Sequence, residues 1–284
     1  RRAAGRGGAR LVFITSAGGV RPAARALLAL RLEQVALRCR GGGTGLVVVR
    51  GRPGLGKTRL LGEIVKAAGP HACVPLLERC TAEERRFPFA TILHLLERFM
   101  LKYPQETDAL RKRLPADEVA VLARFFPGLE CGASGDDHRL AAAVEGLTAE
   151  HRSLLFNGLL RCIVHLSDQD LPLLMLDDAE NIDEATLDIL SRVVREGGGR
   201  LLVCVAVRLN EQGRAGHDTL DAFLAAVGKL PETRALDLVP FDAAGVRDML
   251  DHLLPGREPH RDFEALISQV TGGNPLFVEE SVKS

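Results

Sequence analysis

"GLVVVRGRPGLGKTRL", residues 45–60, joins a wholly apolar run to a turn rich in glycine and proline, then to a segment with helical spacing. A short run such as 46–49 suits a parallel strand covered on both faces, where polar residues need not alternate. After the turn, "KTRLLGEIVKAA" carries apolar residues at 60, 61, 64, 65 and 68, which is the period of a helix. Between the two, Gly51-Arg52-Pro53-Gly54-Leu55-Gly56-Lys57-Thr58 matches G-x-x-x-x-G-K-[ST] at every position. A plain turn would account for the glycines and the proline, but not for the lysine and hydroxyl that follow at fixed places. A phosphate cradle accounts for all of them. Glycines let the backbone curl until successive N–H groups face a phosphate, and the following helix adds the positive end of its dipole. Lys57 then reaches the β- and γ-phosphates, and the Thr58 hydroxyl can hold Mg2+. Gly51 to Thr58, with Arg59 beside them, are therefore the expected ATP-binding residues.

Such a loop needs a carboxylate delivered by a second buried strand, and "LLMLDDAE" (173–180) supplies it. Asp177 ends four apolar residues, where it would enter the Mg2+ shell beside Thr58. Asp178, next to it, could take a proton from the attacking water as general base. An acidic pair that only opened a loop would have no reason to seal an apolar strand. Asp183, by contrast, suits the cap of the next helix. A third strand, "LLVCVAVR" (201–208), ends in Arg208, the place at which a P-loop fold with an extra strand between its two motif strands puts a γ-phosphate sensor.

The rest of the chain fits this frame. A strand is expected at "ACVPLLERC" (72–80), and further strands at 172–178, 200–208 and 234–240. Helices are expected at 183–195 and about 217–229, and the span from 88 to 168 is mostly helical, with "FPFATILHLLERFMLK" and "TAEHRSLLFNGLLRCIVHL" its clearest pieces. "PGLECGASGDDH" (127–138) reads as a loop, and "RPAARALLALRLEQVALRCR" (21–40) as an amphipathic helix. Strands alternating with helices of this length imply a parallel sheet covered on both faces. Beyond Pro240 the pattern is helical only. We therefore expect a lead and helix over 1–40, an ATP-binding α/β domain over 41–240 and a small helical lid over 241–284.

The combination of "GRPGLGKTRLL", "LLMLDDAENIDEATLDIL", "LLVCVAVR" and above all "GGNPLFVEE" (272–280) resembles the STAND class of signalling ATPases. Within that class it is most similar to the origin-recognition-like AAA module of LuxR/MalT-type regulators and soluble adenylyl cyclases. The resemblance runs from about residue 20 to the end. It implies an ASCE/AAA-type P-loop NTPase with a three-layer α/β/α parallel sheet and a helical lid. It also implies that Arg208 senses the γ-phosphate and that Pro275 packs near the adenine and ribose, so that the lid reports the nucleotide. Two departures stand out: "GGVRPA" (18–23) replaces the usual V-G-R-E phrase, and Ala206-Val207 replace a usual Ser or Thr, leaving Arg208 alone to sense. Arg234 is a weak candidate for an arginine finger.

Composition narrows the function further. The 284 residues carry 37 basic and 37 acidic side chains, a balance that creates no global field for nucleic acid or an acidic membrane. No apolar stretch approaches the roughly 18 residues of a membrane helix. The six cysteines are scattered without metal-ligand spacing, which fits a reduced, cytoplasmic compartment. The Arg-rich, acid-free first 19 residues read as a lead or linker, with faint transit-peptide character as the alternative. A first residue other than Met and an end inside a helical run suggest a piece of a longer protein. The expected role is thus an ATP- and Mg2+-dependent switch with slow hydrolysis, working with effector and sensor domains elsewhere in a longer chain and compatible with a homo-oligomer. Two rivals remain. A small-molecule P-loop kinase would carry phosphate-clamping arginines where this chain has "GGNPLFVEE". A DNA-binding ATPase of the origin-recognition kind would add a basic winged helix and salt-sensitive binding.

Overall fold

A computed structural model describes residues 9–11, 44–68, 73–126, 146–166, 171–196, 201–210, 215, 218–230, 233–256 and 260–283. The helix expected over 21–40 and the loop at 127–138 lie outside the described residues. Six strands form one sheet: β1 (Ala9–Leu11), β2 (Thr44–Gly51), β3 (Cys73–Arg79), β4 (Leu171–Asp177), β5 (Leu201–Arg208) and β6 (Thr233–Leu238). Their order is β1-β6-β2-β5-β4-β3 and every pairing is parallel. β5 therefore stands between the two strands that carry the glycine loop and the acidic pair, as the ASCE-type expectation required. Ala9–Leu11, inside the expected lead, adds an edge strand beside β6.

The continuous apolar runs find their reason in the two covered faces of the sheet. Leu46 and Val48 of β2, Leu174 and Leu176 of β4, and Leu201, Val203, Val205 and Val207 of β5 enter one apolar cluster. Their neighbours Val47 and Val49, Leu173 and Met175, and Leu202, Cys204 and Ala206 enter another. Alternate side chains of a strand point to opposite faces, so both faces here must be dry. Each fully buried aliphatic side chain contributes about 1.5–3 kcal/mol, which makes the three central strands the main stabilising unit.

Helix α1 (Lys57–Ala68) covers the second cluster through Leu60, Leu61 and Ile64. The first is covered by α2 (Ala90–Lys102), α5 (Ala149–Leu166), α6 (Glu184–Glu196) and α7 (Asp218–Val227). Two shorter helices, α3 (Pro104–Arg113) and α4 (Ala116–Leu122), lie between α2 and α5 in sequence. The result is the expected three-layer α/β/α arrangement.

One boundary differs from the sequence reading, since α2 starts at Ala90 and not near Phe87. Pro88 keeps Phe87 extended, and Phe89 is left-handed at φ 69°. Asp183 compensates: its Oδ1 accepts from the Phe89 amide at 2.7 Å and its Oδ2 from the Thr91 amide at 3.3 Å. The same carboxylate caps α6, accepting from the Thr186 amide at 2.8 Å and its hydroxyl at 2.7 Å. One buried aspartate thus fixes the starts of two helices.

After β6 come α8 (Ala243–Leu253), α9 (Arg261–Thr271) and α10 (Pro275–Lys283), which share their own apolar cluster of Phe241, Val246, Met249, Leu250, Ile267 and Val278. Asp242 caps α8 by accepting from the Gly245 amide at 2.8 Å. Among the described residues no helix is long and apolar enough to cross a membrane.

Candidate nucleotide site

Strand register assembles the site. Gly51 lies opposite Arg208 across β2 and β5, and Arg79 lies opposite Asp177 across β3 and β4. All four strands run in parallel, so their carboxyl ends, and the residues that close them, share one edge of the sheet. Arg208 is the first exposed residue of β5 after seven buried ones. Arg234, by contrast, sits inside β6 opposite Val47, toward the other end of β2.

Between β2 and α1 the loop bends through two left-handed glycines, Gly54 at φ 81° and Gly56 at φ 87°. Leu55, between them, is buried in the core with Leu60 and Leu61, and it pins the loop from beneath. Arg52 and Pro53 are exposed. Lys57 is buried, its Nζ donating to the carbonyls of Gly51 at 3.0 Å and Arg52 at 3.1 Å. Burial holds the Lys57 ammonium below its ordinary range, while the carboxylates of Glu180, Asp178 and Asp177 work in the opposite direction. Arg59 follows in the first turn of α1.

The Thr58 hydroxyl donates to Asp177 Oδ2 at 2.6 Å, which joins the glycine loop to the acidic strand. The other oxygen, Oδ1, accepts from the Asp178 amide at 3.0 Å. Asp178 itself adopts the left-handed conformation at φ 49°, which aspartate tolerates better than most residues. Its Oδ2 accepts from Arg79 Nε at 2.9 Å, and its Oδ1 from Arg208 Nη2 at 3.2 Å. Arg208 makes two further contacts with Glu180: its Nε lies 3.0 Å from Oε1, and its amide donates to Oε2 at 3.1 Å.

Residues 51–59, Asp177, Asp178 and Arg208 lie at this edge of the sheet, whereas Arg234 lies inside β6 and Pro275 on α10. Pro275 is buried at the start of α10, and this helix meets the loop through its neighbours. Asn274 Nδ2 donates to the Pro53 carbonyl at 3.0 Å, and a side-chain carbon placed on Gly54 would lie 3.0 Å from Leu276 Cβ. Sequence reasoning missed Asn274, Arg79 and Glu180. Arg79 ends a strand just as Arg208 does, and Glu180 lies three residues beyond Asp177, so the same strand-end logic could have found both.

The donor set suits a magnesium–triphosphate group. A buried ammonium is bonded to the carbonyls of Gly51 and Arg52, a guanidinium ends the neighbouring strand, and Thr58 and Asp177 offer one hydroxyl and one carboxylate. That sparse oxygen pair is what Mg2+ takes when phosphates and water complete its shell. Among the described residues no group of three or more His, Cys, Asp or Glu side chains forms a metal cage.

The fold is the P-loop α/β fold with the extra central strand. The family model for the AAA ATPase domain matches residues 23–205, and the chain belongs to that family of ATP-binding modules. No curated protein matches it in sequence.

Proposed function

We propose that this chain is an ATP-driven switch module of the STAND kind, a slow ATPase within a larger cytoplasmic signalling protein such as a cyclase, kinase or transcriptional regulator. The observation that carries the reading is the 2.6 Å bond between Thr58 and Asp177, two residues 119 positions apart that meet where a phosphate-bound cation would sit. Lys57 and the loop amides would hold the β- and γ-phosphates, and Thr58 and Asp177 would hold Mg2+. When bound, that ion neutralises charge on the phosphate oxygens, so positioning and electrostatics carry the chemistry.

Asp178 is the proposed general base and Arg208 the γ-phosphate sensor. Both oxygens of Asp178 accept from guanidinium groups, each keeping a lone pair for a water, and the two positive charges lower the basicity of the carboxylate. A weakened base favours slow hydrolysis, and it suits a timer better than a motor. The lid, residues 241–284, would report the nucleotide, with Pro275 close to the base. Effector and sensor domains in a longer chain would receive the signal, and a homo-oligomer is compatible with this arrangement.

Calorimetric titration with Mg2+ and ATP tests the proposal. Wild type is expected to bind, and folded Lys57→Ala to lose at least about a hundredfold in affinity, the loss of a buried charge-assisted contact worth about 3 kcal/mol. Equal affinities would remove the phosphate-loop assignment.

A further inference from the structure

We propose that Glu180 sets the preference between ATP and ADP by holding Arg208 until a γ-phosphate displaces it. The inference rests on the nucleotide-switch reading above and on Arg208 as the group that meets the third phosphate. Arg208 is gripped twice by one carboxylate. Glu180 Oε1 lies 3.0 Å from Nε and Oε2 accepts from the backbone amide at 3.1 Å, so a single side chain fixes both the strand end and the guanidinium. Asp178 takes only the outer Nη2, at 3.2 Å.

The turn that carries Glu180 is itself anchored. Ala179 is fully buried, the Asn181 amide donates to the Asp178 carbonyl at 3.0 Å, and Asn181 Nδ2 donates to the Cys80 carbonyl at 3.3 Å. Glu180 is therefore a fixed acceptor, and Arg208, with its side chain 47% exposed, is the partner able to move. The Glu180 charge also works against the burial that lowers the Lys57 pKa, so this carboxylate acts on both cations that a triphosphate would use.

A terminal γ-phosphate competes with Glu180 for the guanidinium, whereas ADP leaves the grip intact. A ligand shifts a two-state arrangement only through its different affinity for the two states, so the cost of releasing Arg208 falls on ATP and not on ADP. Glu180 acts here through Arg208 and is a positioning residue. Simple removal of a negative charge near the phosphates would instead tighten both nucleotides, and it would do so without Arg208.

A double-mutant cycle separates the two effects. Affinities for ADP and for an ATP analogue with a non-hydrolysable β–γ bridge, each with Mg2+, would be measured calorimetrically for wild type, Glu180→Gln, Arg208→Ala and the double variant. We expect Glu180→Gln to raise the analogue-to-ADP affinity ratio by about three- to tenfold, the range for loss of one ordinary intramolecular hydrogen bond at this part-exposed guanidinium, and to leave the ratio unchanged in the Arg208→Ala background. Glu180→Asp keeps the charge but is one methylene too short to reach both nitrogens, and it should shift the ratio in the same direction. An equal gain for both nucleotides overturns the proposal. So does a gain that persists without Arg208, or a Glu180→Asp variant that matches wild type while Glu180→Gln does not. A wild type that binds neither nucleotide overturns the switch reading itself, and the gate with it.

Discussion

The Asn274 side chain joins the start of α10 to the phosphate loop, donating from Nδ2 to the Pro53 carbonyl at 3.0 Å across 221 residues of sequence. Its Oδ1 accepts from the Leu276 amide at 3.1 Å, so the same amide caps the helix it introduces. A side-chain carbon on Gly54 would fall 2.5 Å from that Oδ1, which means the loop glycine makes room for Asn274 as well as for its own turn. Behind Asn274, the Phe241 amide donates to the Gly273 carbonyl at 2.8 Å and ties the segment to the end of β6.

Replacement of Asn274 can separate these two jobs. Asn274→Asp keeps an acceptor for Leu276 but loses the donor to Pro53, while Asn274→Ala loses both. The first should weaken the attachment of lid to core by about 0.5–1.5 kcal/mol, and the second should add about 1 kcal/mol of lost capping. A fluorescence distance pair spanning core and lid reads the attachment, and denaturation reads the stability. If Asn274→Asp leaves the distance distribution unchanged with and without ATP analogue, the contact does not couple loop to lid.

Gly273 has no room for a side chain. At φ 73°, an added Cβ would lie 2.0 Å from the Phe241 carbonyl oxygen, a backbone atom that cannot swing aside. Gly273→Ala should cost about 2–4 kcal/mol, combining left-handed strain with overpacking. Gly272, also left-handed at φ 56°, has open space around its Cβ position, so Gly272→Ala should cost only about 1–2 kcal/mol from backbone strain. Urea unfolding of the two variants side by side checks the ranking; a reversed order would contradict the packing.

Asp183→Ala should destabilise the fold by about 3 kcal/mol or more, because the buried amides of Phe89, Thr91 and Thr186 would all lose their acceptor. Asp183→Asn keeps the size and part of the acceptor capacity and should recover much of the loss. Chemical denaturation measures both. A loss below about 1 kcal/mol for the alanine variant would reduce Asp183 to an ordinary helix cap.

Lys57 carries a conflict between stability and binding. Burial disfavours its ammonium, so its proton is held less tightly in the folded chain than in the unfolded one. In the window between that lowered value and the ordinary one the unfolded chain binds more protons, and stability should rise with pH there. Lys57→Met removes this term. The variant's melting temperature without ligand should be no lower than that of wild type, while ATP with Mg2+ no longer raises it. Wild type should gain about 2.7 kcal/mol at a hundredfold excess over Kd. A markedly less stable Lys57→Met would assign the lysine a structural role.

What could be read from the chain followed from how local each signal is. The 45–68 stretch declared strand, loop and helix because continuous apolar residues, glycines and a helical period stand next to one another, and the acidic strand was legible for the same reason. Asp183 showed only half of its role, since its cap on α6 is three residues away while its bonds to Phe89 and Thr91 cross 94 and 92 positions. Arg79 and Glu180 look like ordinary surface charges until strand register sets them beside Asp178 and Arg208. The resemblance points to Pro275, yet the contacts to the loop belong to Asn274 and Leu276 on either side.

The acidic pair should divide its labour, and the division can be measured. Asp177 touches Thr58 through one oxygen and the Asp178 amide through the other, so its charge is aimed at the place where Thr58 would hold a cation. Asp177→Asn preserves size and can still accept from Thr58, but it presents an amide to Mg2+. The tightening of ATP binding on adding Mg2+ should fall by about tenfold or more, equivalent to about 1.4 kcal/mol. Asp178 touches no part of the phosphate loop among its recorded hydrogen bonds and is oriented by Arg79 and Arg208. Asp178→Asn should therefore bind ATP and Mg2+ nearly as wild type does, yet slow single-turnover hydrolysis by about 10²- to 10⁴-fold, the usual contribution of a general base. Arg79→Ala, which frees one oxygen of Asp178 without removing it, should change the hydrolysis rate and leave Mg2+ dependence alone. If Asp178→Asn instead abolishes the Mg2+ effect and Asp177→Asn abolishes only hydrolysis, the two carboxylates have exchanged the roles proposed for them.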